Sequence, residues 1–207
     1  MKCEKLNKVE KIFKDNNFIL KTAKLREYGI SSRDISELMN LGYLIKIKTG
    51  YYGLKSNFYG LDDYELLQKI IPHGIISVFT AAEFHGITTV NPVKISVTIK
   101  SNKTKPILPD YPPIEIFYTS EENFNMGIIS FEYEGRLLQI YNKERTVCDF
   151  FKYINRVGND MAIESLKNYM SCKDKNLQLL FEYAKKLRVI KYIKPYVEAL
   201  LWLVRPV

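Results

Sequence analysis

The chain has 207 residues, 46% of them apolar and 26% charged, and a formal charge of +8. That is the make-up of an ordinary soluble globular protein, long enough for one large or two small domains with a real core. Three well-separated cysteines, Cys3, Cys148 and Cys172, argue against a disulfide framework or a zinc site; no apolar run approaches the roughly 20 residues that cross a bilayer.

Residues 1–14 alternate charged and apolar positions and lack the core of a signal peptide, so a reducing cytoplasm is the expected location. Leu6, Val9, Ile12 and Phe13 recur at helical spacing opposite Lys5, Lys8, Lys11 and Lys14, predicting a first helix that ends at Asn16-Asn17. A short helix over Thr22–Tyr28 follows, with Ala23 and Leu25 as its apolar positions. Gly29-Ile30-Ser31 makes a turn, and a second helix spans Ser32–Leu41 until Gly42 stops it. Two short strands, Tyr43–Lys48 and Tyr51–Leu54, flank Thr49-Gly50. This order is that of a winged helix-turn-helix, in which the second helix can enter a major groove while the hairpin lies on neighbouring phosphates.

Ile35, Leu38 and Met39 supply the inward face of that second helix, leaving Ser32, Arg33, Ser36, Glu37 and Asn40 outward. Ser31, Ser32, Arg33, Ser36 and Asn40 are the base-facing candidates, since Arg can bond guanine and Asn adenine in bidentate fashion. Lys21, Thr22, Lys24, Lys46, Lys48, Thr49, Tyr51 and Tyr52 are candidates for the phosphate backbone. Lys46 and Lys48 fall on alternate positions of the strand and so are expected to share a face, and one of the adjacent tyrosines must point inward. An ordinary solvated surface would use the same residue types.

Ser56–Gly60 reads as a linker, dividing a DNA-binding domain (1–56) from an α+β domain with a small sheet and several helices (57–207). Tyr64–Ile71 is a helix closed by Pro72 and Gly74. Thr80-Ala81-Ala82-Glu83 matches a capping box, with Gly86 ending the helix it starts. Val93–Lys100 alternates as a half-buried strand, with Val93, Ile95, Val97 and Ile99 inward. A proline-rich loop over Ser101–Pro113 leads to a strand at Ile114–Tyr118. Ile128–Tyr133 and Leu137–Tyr141 pair around Glu134-Gly135 as a hairpin. Helical spacing then resumes through Val147–Val157, Met161–Met170, Leu177–Leu187 and Ile190–Val204, the last kinked or interrupted by Pro195.

Several of these stretches, in order, resemble the AbiEi family. They are Thr22-Ala23-Lys24-Leu25, Tyr28-Gly29-Ile30-Ser31, Leu41-Gly42-Tyr43-Leu44 and Lys48-Thr49-Gly50-Tyr51-Tyr52-Gly53-Leu54. Further on come Thr80-Ala81-Ala82-Glu83-Phe84-His85-Gly86, Ile95-Ser96-Val97-Thr98 and Asn142-Lys143-Glu144-Arg145-Thr146-Val147-Cys148-Asp149. The family comprises antitoxin and transcriptional-repressor components of type IV toxin–antitoxin (abortive infection) systems. The resemblance implies a winged-helix domain that represses a shared promoter through inverted repeats. It also implies an α+β domain that opposes a nucleotidyltransferase-type toxin without need of a stable complex.

Other constellations have plainer readings. Arg145 and Asp149, one turn apart, can form an ion pair that fixes their helix on the sheet. Glu83 is accounted for by the capping box, no nucleophile elbow surrounds Ser77, and His85 stands alone. Pro109-Asp110 with Glu134-Gly135-Arg136 only faintly suggests a nuclease, because Glu134 sits in a hairpin turn. No glycine-rich phosphate loop is present. The expectation is a DNA-binding repressor and antitoxin with no catalytic activity, metal or cofactor, acting on double-stranded operator DNA and away from membranes; a stand-alone winged-helix regulator is the alternative. Charge is uneven: residues 1–56 carry a net +6, 57–160 a net −3 and 161–207 a net +5. The positive ends favour a polyanion, although a lysine-rich surface also serves solubility. The last segment's basic face has either the toxin or the toxin's nucleic-acid target as its expected partner.

Overall fold

A computed structural model describes residues 3–16, 18–58, 62–102, 106, 108–109 and 112–203. The fold is α+β, and the chain divides into two compact units. One is Met1–Pro72 with Lys105–Pro113; the other is His73–Thr104 with Ile114–Val207. The seam thus follows Pro72, later in the chain than the change of composition at residue 56. The linker prediction at Ser56–Gly60 and the proline-rich loop each fall partly outside the described residues, as does Asp110.

In the first unit the order is α1 (Cys3–Lys14), β1 (Ile19–Lys21), α2 (Thr22–Glu27), α3 (Ser32–Asn40), β2 (Leu44–Lys48), β3 (Tyr51–Leu54) and α4 (Asp63–Ile70). A single core of Val9, Ile12, Phe13, Leu20, Leu25, Ile30, Ile35, Leu38, Leu44 and Leu54 joins all of these but α4. The helical spacing of α1 and α3 thus places its apolar stripe inward, as amphipathic helices require. Ala23 is a correction: it is exposed, and Leu25 alone anchors α2. The sequence pattern also gives no sign of β1. Its three residues are too few to show alternation, yet they complete an antiparallel sheet in the order β1-β3-β2.

The second unit contains β4 (Ile75–Ile76), α5 (Val78–Phe84), β5 (Ile95–Lys100), β6 (Ile114–Thr119), α6 (Glu121–Phe124), β7 (Ile128–Tyr133) and β8 (Arg136–Tyr141). Five helices follow: α7 (Lys143–Lys152), α8 (Ile154–Val157), α9 (Asn159–Ser171), α10 (Leu177–Lys186) and α11 (Ile190–Leu203). The sheet order is β6-β5-β4-β8-β7, with β4–β8 and β5–β6 parallel and the other pairings antiparallel. At the hairpin tip Glu134 and Gly135 both have positive φ, as a type I′ turn requires. Pro195 does not interrupt α11.

Two expectations for this unit are overturned. The capping box at Thr80–Glu83 does not form, because α5 begins three residues earlier, after Ser77 rather than Thr80. Thr80 lies inside the helix, and its hydroxyl accepts a 2.9 Å bond from the Ser96 backbone N–H, while Glu83 is exposed. Nor is β5 half-buried. Ser96 and Thr98 are as buried as Val97, because β5 lies inside the sheet with α5 packed on it. The Thr98 hydroxyl donates to Ser77 Oγ at 2.9 Å, whereas Ser96 Oγ is buried with no hydrogen-bond partner among the described residues. Val93, expected to face inward, is 86% exposed and precedes the strand.

Candidate nucleic-acid interface

The turn between α2 and α3 is fixed by backbone geometry. Gly29 adopts φ +78°, and the Ile30 N–H reaches back to the Leu25 carbonyl at 2.9 Å, closing α2. Leu25 and Ile30 are both buried beneath that closure. Helix α3 starts with a capping box that the sequence reading missed. The Asp34 N–H donates to Ser31 Oγ at 3.2 Å, while Asp34 Oδ2 accepts from the Ser31 N–H at 2.9 Å and its hydroxyl at 2.8 Å. The sequence pattern sought usually has Glu or Gln at this position; Asp does the same work here.

The exposed side of α3 carries Ser32, Arg33, Ser36, Glu37 and Asn40 together. They are not equally available. The Ser31 hydroxyl is spent on the cap, and Ser32 Oγ accepts from Arg26 Nη2 at 3.0 Å. Ser36 Oγ donates to its own helix, at the Ser32 carbonyl, 3.1 Å away. Arg33 and Asn40 have no side-chain bond to any described residue, so their donors are available to a ligand. Arg26 was not among the predicted contacts; its exposed guanidinium joins α2 to the first turn of α3.

The hairpin is tied to α2 at its tip. Both the N–H and the hydroxyl of Thr22 donate to the Gly50 carbonyl, at 2.9 and 3.3 Å. Thr22 therefore positions the hairpin as much as it faces solvent. Lys21 holds its ammonium 5.4 Å over the Tyr51 ring. Lys24 is engaged by Glu27 at 2.7 Å, and that bond raises its pKa. Lys46 and Thr49 are exposed, and Lys48 and Tyr51 half-buried. A bulge between Lys46 and Lys48 breaks the alternation: Lys46 pairs with Tyr52 and Lys48 with Tyr51. Adjacent tyrosines face opposite sides of a strand, so the two lysines do not share a face. Tyr52 is the tyrosine that packs on the core.

In the second unit the polar residues of α7 are interior. Every residue from Glu144 to Phe151 is buried. Arg145 Nε donates to Asp149 Oδ1 at 3.0 Å with neither side chain exposed, the ion pair expected from their spacing. Burial pushes the Asp149 carboxyl upward, and the Arg145 guanidinium opposes that shift. Glu144 accepts from the Tyr169 hydroxyl at 2.9 Å. His85 Nε2 donates to the Tyr141 carbonyl at 2.7 Å, and burial lowers its pKa. Among the described residues no group of three or more His, Cys, Asp and Glu side chains is arranged to hold a metal ion. No helix among them is long and apolar enough to cross a membrane. No protein-family model matches the chain, and no curated protein matches it.

Proposed function

We propose that the first unit is a winged helix-turn-helix that reads double-stranded DNA through α3. On this reading the chain is a cytoplasmic repressor and antitoxin of the AbiEi kind, without catalytic activity. The observation that carries it is the combination on one small core. An exposed polar helix face offers Arg33 and Asn40 uncommitted, beside a hairpin bearing Lys46, Lys48 and Thr49. Arg33 and Asn40 read base edges, while the lysines hold phosphates and set register. Two copies on an inverted repeat block the promoter of a neighbouring nucleotidyltransferase-like toxin, which the second unit opposes without a stable complex.

The test is a gel shift with the DNA upstream of the gene against a scrambled duplex. The natural sequence binds preferentially, and Arg33→Ala costs roughly 1–3 kcal/mol of that preference. Equal binding to both duplexes, with Arg33→Ala neutral, defeats the reading. Co-expression with the adjacent gene product separates an antitoxin from a stand-alone regulator, because only the antitoxin restores growth.

A further inference from the structure

In the second unit, helices α10 and α11 meet at a three-residue corner, Leu187–Val189, whose outer surface is basic and aromatic. We infer that this surface, built on Lys185, Arg188, Lys191, Tyr192, Tyr196 and Trp202, binds single-stranded nucleic acid. The inference goes beyond the duplex-reading role of the first unit and does not rest on it.

Three observations converge on this corner. The first is Arg188. The Val189 N–H bonds the Ala184 carbonyl at 2.8 Å, and Arg188 sits between them at φ +61°. Helices α2, α3 and α5 close with the same backbone bond, and each places a glycine at that position: Gly29, Gly42 and Gly86. Left-handed backbone is strained for a residue with a Cβ and free for glycine. At α10 the chain keeps an exposed guanidinium where it elsewhere uses glycine. Retained strain of this kind points to a use for the side chain.

The second observation is charge. Lys185, Arg188 and Lys191 are exposed and have no acidic partner among the described residues. Lys186 is paired with Glu182 at 2.7 Å and Lys194 with Glu198 at 3.6 Å, so those two contribute less.

The third is aromatic exposure beside the cations. Tyr192 is 49% exposed, Tyr196 39% and Trp202 73%. Tyr192 and Tyr196 stand one helical turn apart on α11; the Tyr196 ring also packs on buried Phe151, centroids 6.1 Å apart, so Tyr192 and Trp202 are the freer rings. Trp202 falls roughly three turns beyond Lys191, on the same line of the helix. The Lys191 ammonium lies 4.8 Å over the Tyr192 ring, so charge and ring present together.

This chemistry selects its ligand. A duplex offers phosphates but keeps its bases stacked, leaving the rings without a partner. An acidic protein surface satisfies the cations and likewise ignores the rings. An unpaired strand offers both, with phosphates along the cations and splayed bases on the tyrosines.

The experiment uses the full chain and a short fluorescein-labelled oligouridine, read by anisotropy and by quenching of Trp202, the sole tryptophan. The oligouridine binds, and Tyr192→Ala weakens it by about tenfold. Lys191→Ala weakens it and flattens its salt dependence. Arg188→Gly weakens binding without lowering the unfolding midpoint, which separates lost charge from lost structure. Lys48→Ala leaves this affinity unchanged, and Tyr192→Ala leaves the upstream-duplex gel shift unchanged, so failure of one site is distinguishable from failure of the other. Absence of binding overturns the inference. So does equal competition by unlabelled duplex DNA or polyglutamate, or binding indifferent to Tyr192→Ala and Arg188→Gly.

Discussion

Two residues in left-handed backbone show how location decides what strain costs. Val78 has φ +42° and is fully buried at the start of α5; Arg188 has φ +61° and is exposed. Replacing either with glycine removes about 1–2 kcal/mol of strain and adds about 0.5–1 kcal/mol of unfolded-chain entropy. At Arg188 little else changes, so Arg188→Gly should raise stability by roughly 0–1.5 kcal/mol in urea titrations. At Val78 the lost burial is worth about 1.5–3 kcal/mol, so Val78→Gly should lower it. The same titrations test His85. Burial depresses its pKa below the unfolded value, so the folded state prefers the neutral ring. That contribution is complete above the unfolded pKa, near 6.5, and disappears as pH falls through the lower folded value. His85→Gln keeps a donor for the Tyr141 carbonyl without the titration. Its unfolding midpoint should therefore drop less than the wild type's between pH 7.5 and about 5, and an equal drop would assign the acid sensitivity to other groups.

At the scale of elements, α7 organises the second unit. Helices α5, α9, α10 and α11 pack on it, and the buried Arg145–Asp149 pair sits in its middle. Arg145 Nη1 also donates to the carbonyls of Asn123 and Met126, at 2.6 and 3.1 Å, tying the α6–β7 connection to α7. Arg145→Met strands a buried carboxylate and should cost about 3–5 kcal/mol. Adding Asp149→Leu should recover part of this but not all, because the two carbonyls stay without their donor. Full recovery on thermal unfolding would mean those carbonyl bonds contribute nothing. The pairing itself was legible from one-turn spacing, whereas the burial was not, since the same spacing on a surface helix has the same sequence. Glycines at Gly29, Gly42 and Gly86 marked three helix ends well, because the left-handed closure admits few alternatives. Thr80–Glu83 misled for the opposite reason: a capping pattern is four residues of local chemistry, and Thr80 instead bonds β5. Strands β1 and β4, three and two residues long, carry no readable period and exist through pairing with partners distant in sequence. On α3 the outward residues followed from the apolar stripe. That Arg33 and Asn40 keep their donors for a ligand while the Ser31 and Ser36 hydroxyls donate within the helix depended on hydrogen bonds that periodicity does not encode.

Across the whole molecule, positive charge sits at the two ends of the sequence and the acidic middle separates them. If the first unit holds duplex phosphates with Lys21, Lys46 and Lys48, its affinity should follow the counterions those contacts release. Three contacts give a log–log salt slope of about −3, since each neutralised phosphate contributes close to −0.9. Alanine at a lysine that lies on the DNA should flatten the slope by about 1 and weaken natural and scrambled duplexes alike, which Lys46→Ala and Lys48→Ala test separately. Because the bulge turns these lysines to different faces, the two variants need not act equally. If one leaves the slope untouched while the other flattens it, a single face of the hairpin lies on the DNA. The α11 variant Lys191→Ala is the control, because it should flatten only the oligouridine slope, where each contact is worth about −0.7. Duplex and oligouridine slopes that respond together to Lys48→Ala and Lys191→Ala would mean one shared polyanion surface, and the assignment of separate ligands to the two units would fail.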